Sequence, residues 1–197
     1  MIIPVAALLL LLSPALLGGR LRHLADFRLR GAGWIAITLV IQVAAVEIAV
    51  GPKWLPAATH VATYGAAAVF LWANRRIPGL PVLGLGAACN GIAIAANRGT
   101  LPASAQALRR AGMSEQADKF VNSGVMAHPR LSFLGDVFSV PASWPLHNVF
   151  SVGDVLIVLG AGYASVRICG ARGVTAWRPV SGHSRPRHLG GYRLRSR

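Results

Sequence analysis

Five polar side chains, set in an otherwise apolar sequence, are the residues of this chain best suited to chemistry. They are Glu47, His60, Asn90, Asp136 and Asp154. Each lies within or beside a long apolar run, where a polar or charged group that lacks a partner is costly. We take these five as candidate residues for binding a ligand or a partner, and we assign none of them a catalytic role.

Glu47 and His60 form the first candidate pair. Glu47 lies shortly before Pro52 and His60 shortly after Pro56, which places both about one turn deep on neighbouring antiparallel helices. An imidazole is the natural partner for a carboxylate in that setting. Two interpretations stay open: a pair that handles protons or binds a ligand, or a buried hydrogen bond that joins the two helices.

A repeated pattern surrounds the two aspartates. The tetrapeptide Val-Phe-Ser-Val occurs at 137–140 and at 149–152, with Gly-Asp before the first copy and after the second. Ser151 and Asp154 have the spacing of a capping box, in which each side chain accepts a hydrogen bond from the other residue's backbone N–H. A helix N-terminus also favours a carboxylate. Capping is therefore the structural explanation for Asp154.

Asp136 has no such explanation, because no long helix follows it in the sequence. The basic side chains that it could face at the same end of the molecule are Arg98, Arg130 and His147. The glycine that precedes each aspartate, Gly135 or Gly153, predicts a close approach of another backbone, because glycine has no Cβ.

No metal or cofactor pattern accompanies these residues. The sequence lacks CxxC, HExxH, GxSxG, a P-loop and a dinucleotide-binding glycine pattern. We therefore expect neither a metal nor a cofactor. Cys89 and Cys169 lie in different apolar segments and are interpreted as small packing residues.

Long apolar segments must position the candidate residues. The chain is 54% hydrophobic and only 13% charged, and its mean hydropathy is +0.52. A membrane-spanning helix needs about 20 apolar residues. Five runs approach that length, and flanking Gly, Pro and Trp residues could extend the shorter ones: 1–19, 33–50, 57–73, 80–96 and 150–168. The composition thus predicts an all-α integral membrane protein, with residues 1–168 forming a bundle of about five transmembrane helices.

The remaining segments differ in character. Residues 97–149 are expected to form an external region, in which the apolar stretch 131–148 is interrupted by Pro141 and Pro145. A stretch broken in this way suits a re-entrant or interfacial segment better than a span. Residues 169–197 are rich in arginine and contain no acidic residue. That composition predicts a disordered basic tail.

The distribution of basic residues predicts an orientation. If the N-terminus is outside, 14 of the 20 Lys and Arg residues fall on the cytoplasmic side, as the positive-inside rule requires. We expect a multi-pass protein of the cell membrane with an external N-terminus and a cytoplasmic C-terminus. The expected partners are the bilayer, anionic lipid headgroups that the tail binds, and another membrane protein. Nucleic acid is disfavoured, because the arginines lie between apolar runs.

Four stretches of the sequence also resemble a known family. They read LGGRLRHLADFRLRG (17–31), AANRGTLPASAQALRRAG (95–112), FLGDVFSVP (133–141) and NVFSVGDVLIVLG (148–160). Together they resemble an uncharacterised family of small actinobacterial multi-pass membrane proteins, domain of unknown function 5317. The resemblance covers most of residues 1–168 and implies a membrane fold. It implies no activity.

Two classes of function fit these observations. The first is a non-catalytic membrane component, an accessory or scaffold protein that binds a partner within or outside the bilayer. The second is a small transporter or intramembrane enzyme that uses the five candidate residues in an external polar cleft. The small number of titratable groups and the absence of inverted repeats favour the first class.

Overall fold

The computed structural model describes residues 2–47, 55–113 and 123–177. These residues form seven α-helices, two short 3-10 helices and two small sheets of two strands each. The helices are α1 Ile2–Leu12, α2 Arg22–Ala25, α3 Ala32–Glu47, α4 Leu55–Ala73, α5 Leu80–Ala96, α6 Ala105–Arg110 and α7 Val152–Cys169. The strands are β1 Leu101–Pro102, β2 Ser123–Gly124, β3 Asp136–Val140 and β4 Asn148–Ser151.

The prediction of an all-α bundle of about five transmembrane helices is wrong. Among the described residues, only α7 is both long enough and apolar enough to cross a membrane. Flanking residues do not extend α1 or α5 to the length of a span. Gly79, with φ of 92°, fixes the start of α5 and Asn97 caps its end, while α1 passes at Ser13 into a 3-10 turn that contains Pro14. The two sheets also make the fold mixed rather than all-α.

Helices α5 and α7 pack closely together and run antiparallel. A Cβ at Gly160 would lie 2.5 Å from the backbone nitrogen of Leu83 and 2.8 Å from the carbonyl oxygen of Gly79. A Cβ at Gly86 would collide with the carbonyl oxygen of Gly153. The contact between the two helices therefore depends on glycines that let the backbones touch.

Helix α1 packs along α7 and runs parallel to it. The Oγ of Ser165 donates a 2.7 Å hydrogen bond to the carbonyl oxygen of Leu11. After the 3-10 turn Ser13–Ala15, the backbone N–H of Arg20 donates to the carbonyl oxygen of Cys169 at 3.0 Å. The segment that follows α1 is therefore held at the C-terminal end of α7.

Helices α3 and α4 pack against each other, and a buried asparagine fixes them at the same end of the molecule. Asn74, just after α4, accepts a 2.9 Å hydrogen bond from the backbone N–H of Arg30 through its Oδ1. Its Nδ2 donates to the carbonyl oxygens of Arg30 and Phe70. The side chain thus joins the end of α4 to the segment that leads into α3.

The segment expected to be re-entrant or interfacial is instead a β-hairpin, which corrects that prediction. Strands β3 and β4 pair antiparallel, with Phe138 opposite Phe150 and Val140 opposite Asn148. Pro141 and Pro145 lie in the connecting loop, where they do not interrupt strand hydrogen bonding. The two prolines that break a helical span are thus compatible with a hairpin.

The hairpin and α6 share a small core at the α7 N-terminus. The buried residues of this core are Ala103, Ala107, Leu108, Ala111 and Val149. Ser104 caps α6 by accepting a hydrogen bond from the backbone N–H of Ala107. We call residues 97–113 together with 123–151 the cap region.

The first residues of the predicted tail are folded. The backbone N–H of Trp177 donates to the carbonyl oxygen of Arg167 at 2.9 Å, and the Trp177 ring meets the Phe27 ring edge-on at 5.5 Å. Residues 170–177 therefore turn back onto the end of α7. The rest of the expected disordered tail, 178–197, lies outside the described residues.

Candidate functional site

Three side chains at the start of α7 form a closed hydrogen-bond network. Nδ2 of Asn90, on α5, donates to Oδ1 of Asp154 at 2.9 Å. Oγ of Ser151 donates to Oδ1 of Asn90 at 2.8 Å and accepts from the backbone N–H of Asp154 at 3.0 Å. Oδ2 of Asp154 accepts from the backbone N–H of Ser151, also at 3.0 Å. We call these residues the Asn90–Ser151–Asp154 network.

Two predictions about this network are confirmed. Ser151 and Asp154 form the capping box that their spacing predicts. Gly153 admits a close neighbour, because a Cβ there would overlap the side-chain amide of Asn90 and lie 2.7 Å from the carbonyl oxygen of Gly86. The glycine thus allows the Asn90 amide to reach the first turn of α7.

Asp136 lies beside the network, at the start of β3. It pairs with Ser151 across the hairpin and is only 5% exposed. Burial raises the pKa of Asp136 from 3.8 to about 6; a hydrogen bond from the Ser123 side chain opposes this shift, and the nearby Asp154 carboxylate adds to it. The two aspartates of the repeated Gly-Asp pattern therefore lie in one site, although on different elements.

A register shift in the hairpin explains why Asp136 points inward. Asp136 is opposite Ser151, yet Phe138 is opposite Phe150, so the register changes by one residue between them. Such a bulge re-aims side chains relative to regular alternation. Val137 and Phe138 are exposed while Asp136 is buried.

Backbone contacts also hold Asp136 from the segment Pro102–Ser104. Its carbonyl oxygen accepts a 3.0 Å hydrogen bond from the backbone N–H of Ser104, and Ala103 forms an isolated parallel bridge with it. Gly135 makes this approach possible, since a Cβ there would overlap the carbonyl oxygen of Pro102. The predicted role of Gly135 in admitting another backbone is confirmed.

The side chains of this site offer hydrogen bonding and the uptake of a proton at Asp136. The Asn90 and Asp154 side chains satisfy each other and Ser151, as a structural network does. Within residues 2–47, 55–113 and 123–177, no group of three His, Cys, Asp or Glu side chains is placed to hold a metal ion.

The five candidate residues do not all meet in the described structure. Asn90 and Asp154 bond directly, and Asp136 lies next to them. Glu47 is the last residue of α3 and His60 lies in α4, but their side chains are outside the described part. Their pairing stays a prediction.

The sequence did not predict two residues that make hydrogen bonds in and near the site, Ser123 and Asn97. It gave no role to Ser123, which the fold brings to Asp136 from a separate segment. It also missed Asn97, whose Oδ1 accepts from the backbone N–H of Arg130 at 2.8 Å and whose Nδ2 donates to the carbonyl oxygens of Arg130 and Ala93. One signal was available, because the tripeptide Ala-Asn-Arg occurs at 73–75 and again at 96–98.

Comparison with known proteins agrees with the resemblance but adds no activity. An uncharacterised protein of Thermotoga maritima is 26% identical to this chain over 160 residues, covering 81% of this chain and 87% of that protein. No solved structure matches the chain. The expectation that the family is actinobacterial and multi-pass stays a prediction. Residues 26–165 match the family described as "Family of unknown function (DUF5317)", and the chain belongs to this family.

Proposed function

We propose that this chain is a non-catalytic membrane protein, an accessory or scaffold component that binds a partner at the bilayer. In this proposal α7 crosses the membrane. Its N-terminal end and the cap region face outside, and its C-terminal end and the arginine-rich tail face the cytoplasm. The tail then lies next to anionic lipid headgroups.

The observation that carries the proposal is the exposure of large apolar side chains on the helices around α7. Trp34 is 78% exposed, Val69 68% and Leu159 53%. Further exposed side chains of this kind on α1, α3 and α5 are Leu8, Leu9, Ile37, Val40, Leu85 and Ile92. Extended apolar surface of this kind marks contact with lipid or with another protein.

The ends of the helices also support a membrane location. Trp34 lies in the first turn of α3, Trp72 precedes the last residue of α4 and Tyr163 lies in the C-terminal half of α7; all three are exposed. These three positions belong to the same, arginine-rich end of the molecule. Trp and Tyr concentrate where a membrane meets water, with basic residues on the cytoplasmic side.

The closed network at the start of α7 favours a non-catalytic role over a transporter or an enzyme. Asn90 and Asp154, which the alternative would need for a substrate, bond to each other and to Ser151. A substrate would have to displace hydrogen bonds that already join α5 to α7.

Extraction of the full chain from membranes tests the proposal. We expect the protein to stay in the membrane pellet after washing at alkaline pH and to enter solution with detergent. Leu159→Arg, on the exposed face of α7, should lower the amount inserted, because an arginine inside a spanning helix costs about 2.5–3.5 kcal/mol. Val125→Arg, at an exposed apolar site in the cap region, is the matched control and should insert normally. Release of the wild-type chain by the alkaline wash would contradict the proposal.

A further inference from the structure

A small hydrophobic cluster gathers the arginine-bearing segments at the C-terminal end of α7. Its buried members are Ile77, Leu80 and Ala164, and the partly buried residues packed on them are Phe27, Leu29, Ile168 and Trp177. Several members are next to an arginine in the sequence: Leu29 lies between Arg28 and Arg30, Ile77 follows Arg76, and Ile168 follows Arg167. Packing these apolar residues together therefore places arginines from three distant segments at the same end of the molecule.

Two arginines at this end are held in fixed positions by aromatic rings. The guanidinium of Arg75 lies 4.0 Å from the centroid of the Trp72 ring, and its Nη1 donates to the carbonyl oxygen of Trp72 at 2.7 Å. The guanidinium of Arg167 lies 5.6 Å from the centroid of the Tyr163 ring, and its Nη1 donates to the Tyr163 hydroxyl at 2.6 Å. Its Nε donates to the carbonyl oxygen of Thr175.

Both guanidinium groups keep N–H donors for a further partner. A guanidinium has five N–H donors, of which Arg75 uses one and Arg167 two in the bonds just described. In the part of the chain that the structure describes, neither group meets a carboxylate. An arginine already fixed in position loses little side-chain entropy on binding, and its planar fork matches two oxygens of a phosphate.

The surroundings of the two arginines suit an amphiphile. Trp72 is 66% exposed, and Tyr163 is exposed as well, so each guanidinium lies beside an apolar ring that is open to the surroundings. A free phosphate would meet the charge but leave these rings in water. A phospholipid would place its phosphate on the guanidinium and its glycerol and acyl chains against the ring.

We propose that Arg75 and Arg167, at the end of the molecule that also carries Arg28, Arg30 and Arg76, each bind the headgroup phosphate of an anionic phospholipid; we call these five arginines the basic rim. This inference rests on the proposed membrane location and adds to it a binding site on the folded part of the chain. The site differs from the arginines of 178–197, whose proposed attraction to anionic lipid needs charge alone. Charge attraction is indifferent to a change from arginine to lysine, whereas two-point recognition of phosphate is not.

Thermal unfolding of the full chain in a neutral detergent tests the site. The additives are dioleoyl phosphatidylglycerol, dioleoyl phosphatidylcholine and inorganic phosphate. We expect phosphatidylglycerol, at about a hundredfold excess over its Kd, to raise the unfolding midpoint of the wild type by about 5 °C or more, and the other two to raise it by much less. Arg75→Lys combined with Arg167→Lys should lose more than half of that rise. Arg193→Lys combined with Arg195→Lys, in the tail, should keep it.

Three results would overturn the inference: an undiminished rise in the Arg75/Arg167 double variant, an equal rise with phosphatidylcholine, or an equal rise with inorganic phosphate alone. Each single variant is measured too, so that a double variant that does not fold still leaves a decisive comparison. Partial loss in the single variants supports the site, and full retention in both opposes it. A chain that stays in the membrane pellet but shows no selective rise would contradict this site while leaving the proposed membrane location intact.

Discussion

Asp136 makes the stability of the cap region depend on pH. Its pKa in the folded chain is about 6, above the ordinary 3.8, so the folded state holds the proton more tightly than the unfolded state. The resulting stabilisation is complete below about pH 4 and is lost as the pH rises through 6. A difference of about two pKa units corresponds to roughly 3 kcal/mol.

We therefore predict that Asp136→Asn flattens the dependence of stability on pH. Asparagine keeps an oxygen that can accept from Ser123 but carries no charge, so the variant should exceed the wild type in stability at pH 7.5 by up to about 3 kcal/mol. At pH 4.5 the two should lie much closer together. Thermal unfolding in detergent at both pH values measures the difference. Asp26→Asn, at an exposed aspartate, is the control and should leave the wild-type pH profile unchanged. Identical pH profiles of Asp136→Asn and the wild type would show that Asp136 titrates like an exposed aspartate.

Asn90 is the side chain that joins α5 to the start of α7. Removing its amide by Asn90→Ala would leave Oδ1 of Asp154 without its donor and the Ser151 hydroxyl without its acceptor. We expect a loss of about 2–3 kcal/mol in the free energy of unfolding, because partners left unsatisfied in a buried site are costly.

Asn148→Ala provides the comparison for this loss, since Asn148 is a half-buried asparagine on the neighbouring strand β4. It should change stability by no more than about 0.5 kcal/mol. Equal effects of the two substitutions would indicate that the network adds nothing specific to stability.

At the scale of elements, the α5–α7 contact distinguishes two glycines on the same helix. A Cβ at Gly86 would overlap the backbone of α7, whereas a Cβ at Gly84 would meet only the Cδ1 of Leu71 at 3.6 Å. We predict that Gly86→Ala destabilises the protein by about 3 kcal/mol through overpacking. Gly84→Ala should be neutral or stabilise it by up to about 1 kcal/mol, because alanine favours a helix. Chemical or thermal unfolding of the two variants measures this contrast. Equal stability of Gly86→Ala and Gly84→Ala would contradict a close contact between Gly86 and the α7 backbone.

Features that depend on short stretches of sequence were predicted from the sequence. The apolar runs overlap the long helices, the spacing of Ser151 and Asp154 predicted the capping box, and Gly135 and Gly153 predicted the two close approaches. Each of these depends on residues close together in the sequence or on the absence of a Cβ.

Features set by tertiary contacts were not predictable in the same way. The hairpin β3–β4 was missed, because Pro141 and Pro145 were interpreted as breaks in a membrane segment rather than as loop residues. The bond from Asn90 to Asp154 depends on the register of α5 against α7, which glycine-to-backbone contacts determine. The bounds of α5 match the predicted run 80–96, but the extension that a membrane span requires does not occur, because Gly79 and Asn97 end the helix.

At the scale of the whole molecule, the fold separates the arginines into two groups. Arg20, Arg30 and Arg75 are tied to the C-terminal end of α7 or to the α4 end beside it. Arg98 and Arg130 belong to the cap region at the opposite end. In the proposed membrane location, the end with more arginines would face the cytoplasm, as the positive-inside rule requires.

Fusions to the full-length chain test that direction. A reporter active outside the cytoplasm should work when inserted in the loop at Trp144, and a reporter active in the cytoplasm should work after Arg197. The same reporters exchanged between the two sites should be silent, because the proposal has α7 crossing the membrane between them. Activity of the external reporter at Arg197 would invert the proposed orientation.

Asn74 and Asn97 hold opposite ends of the molecule with the same set of hydrogen bonds, and this has a consequence for the order of folding. Each closes a loop between distant residues, 44 positions apart for Arg30–Asn74 and 33 for Asn97–Arg130. Loop-closure entropy grows only with the logarithm of loop length, so the two closures differ by about 0.3 kcal/mol. The entropy of loop closure therefore favours neither end in the order of folding.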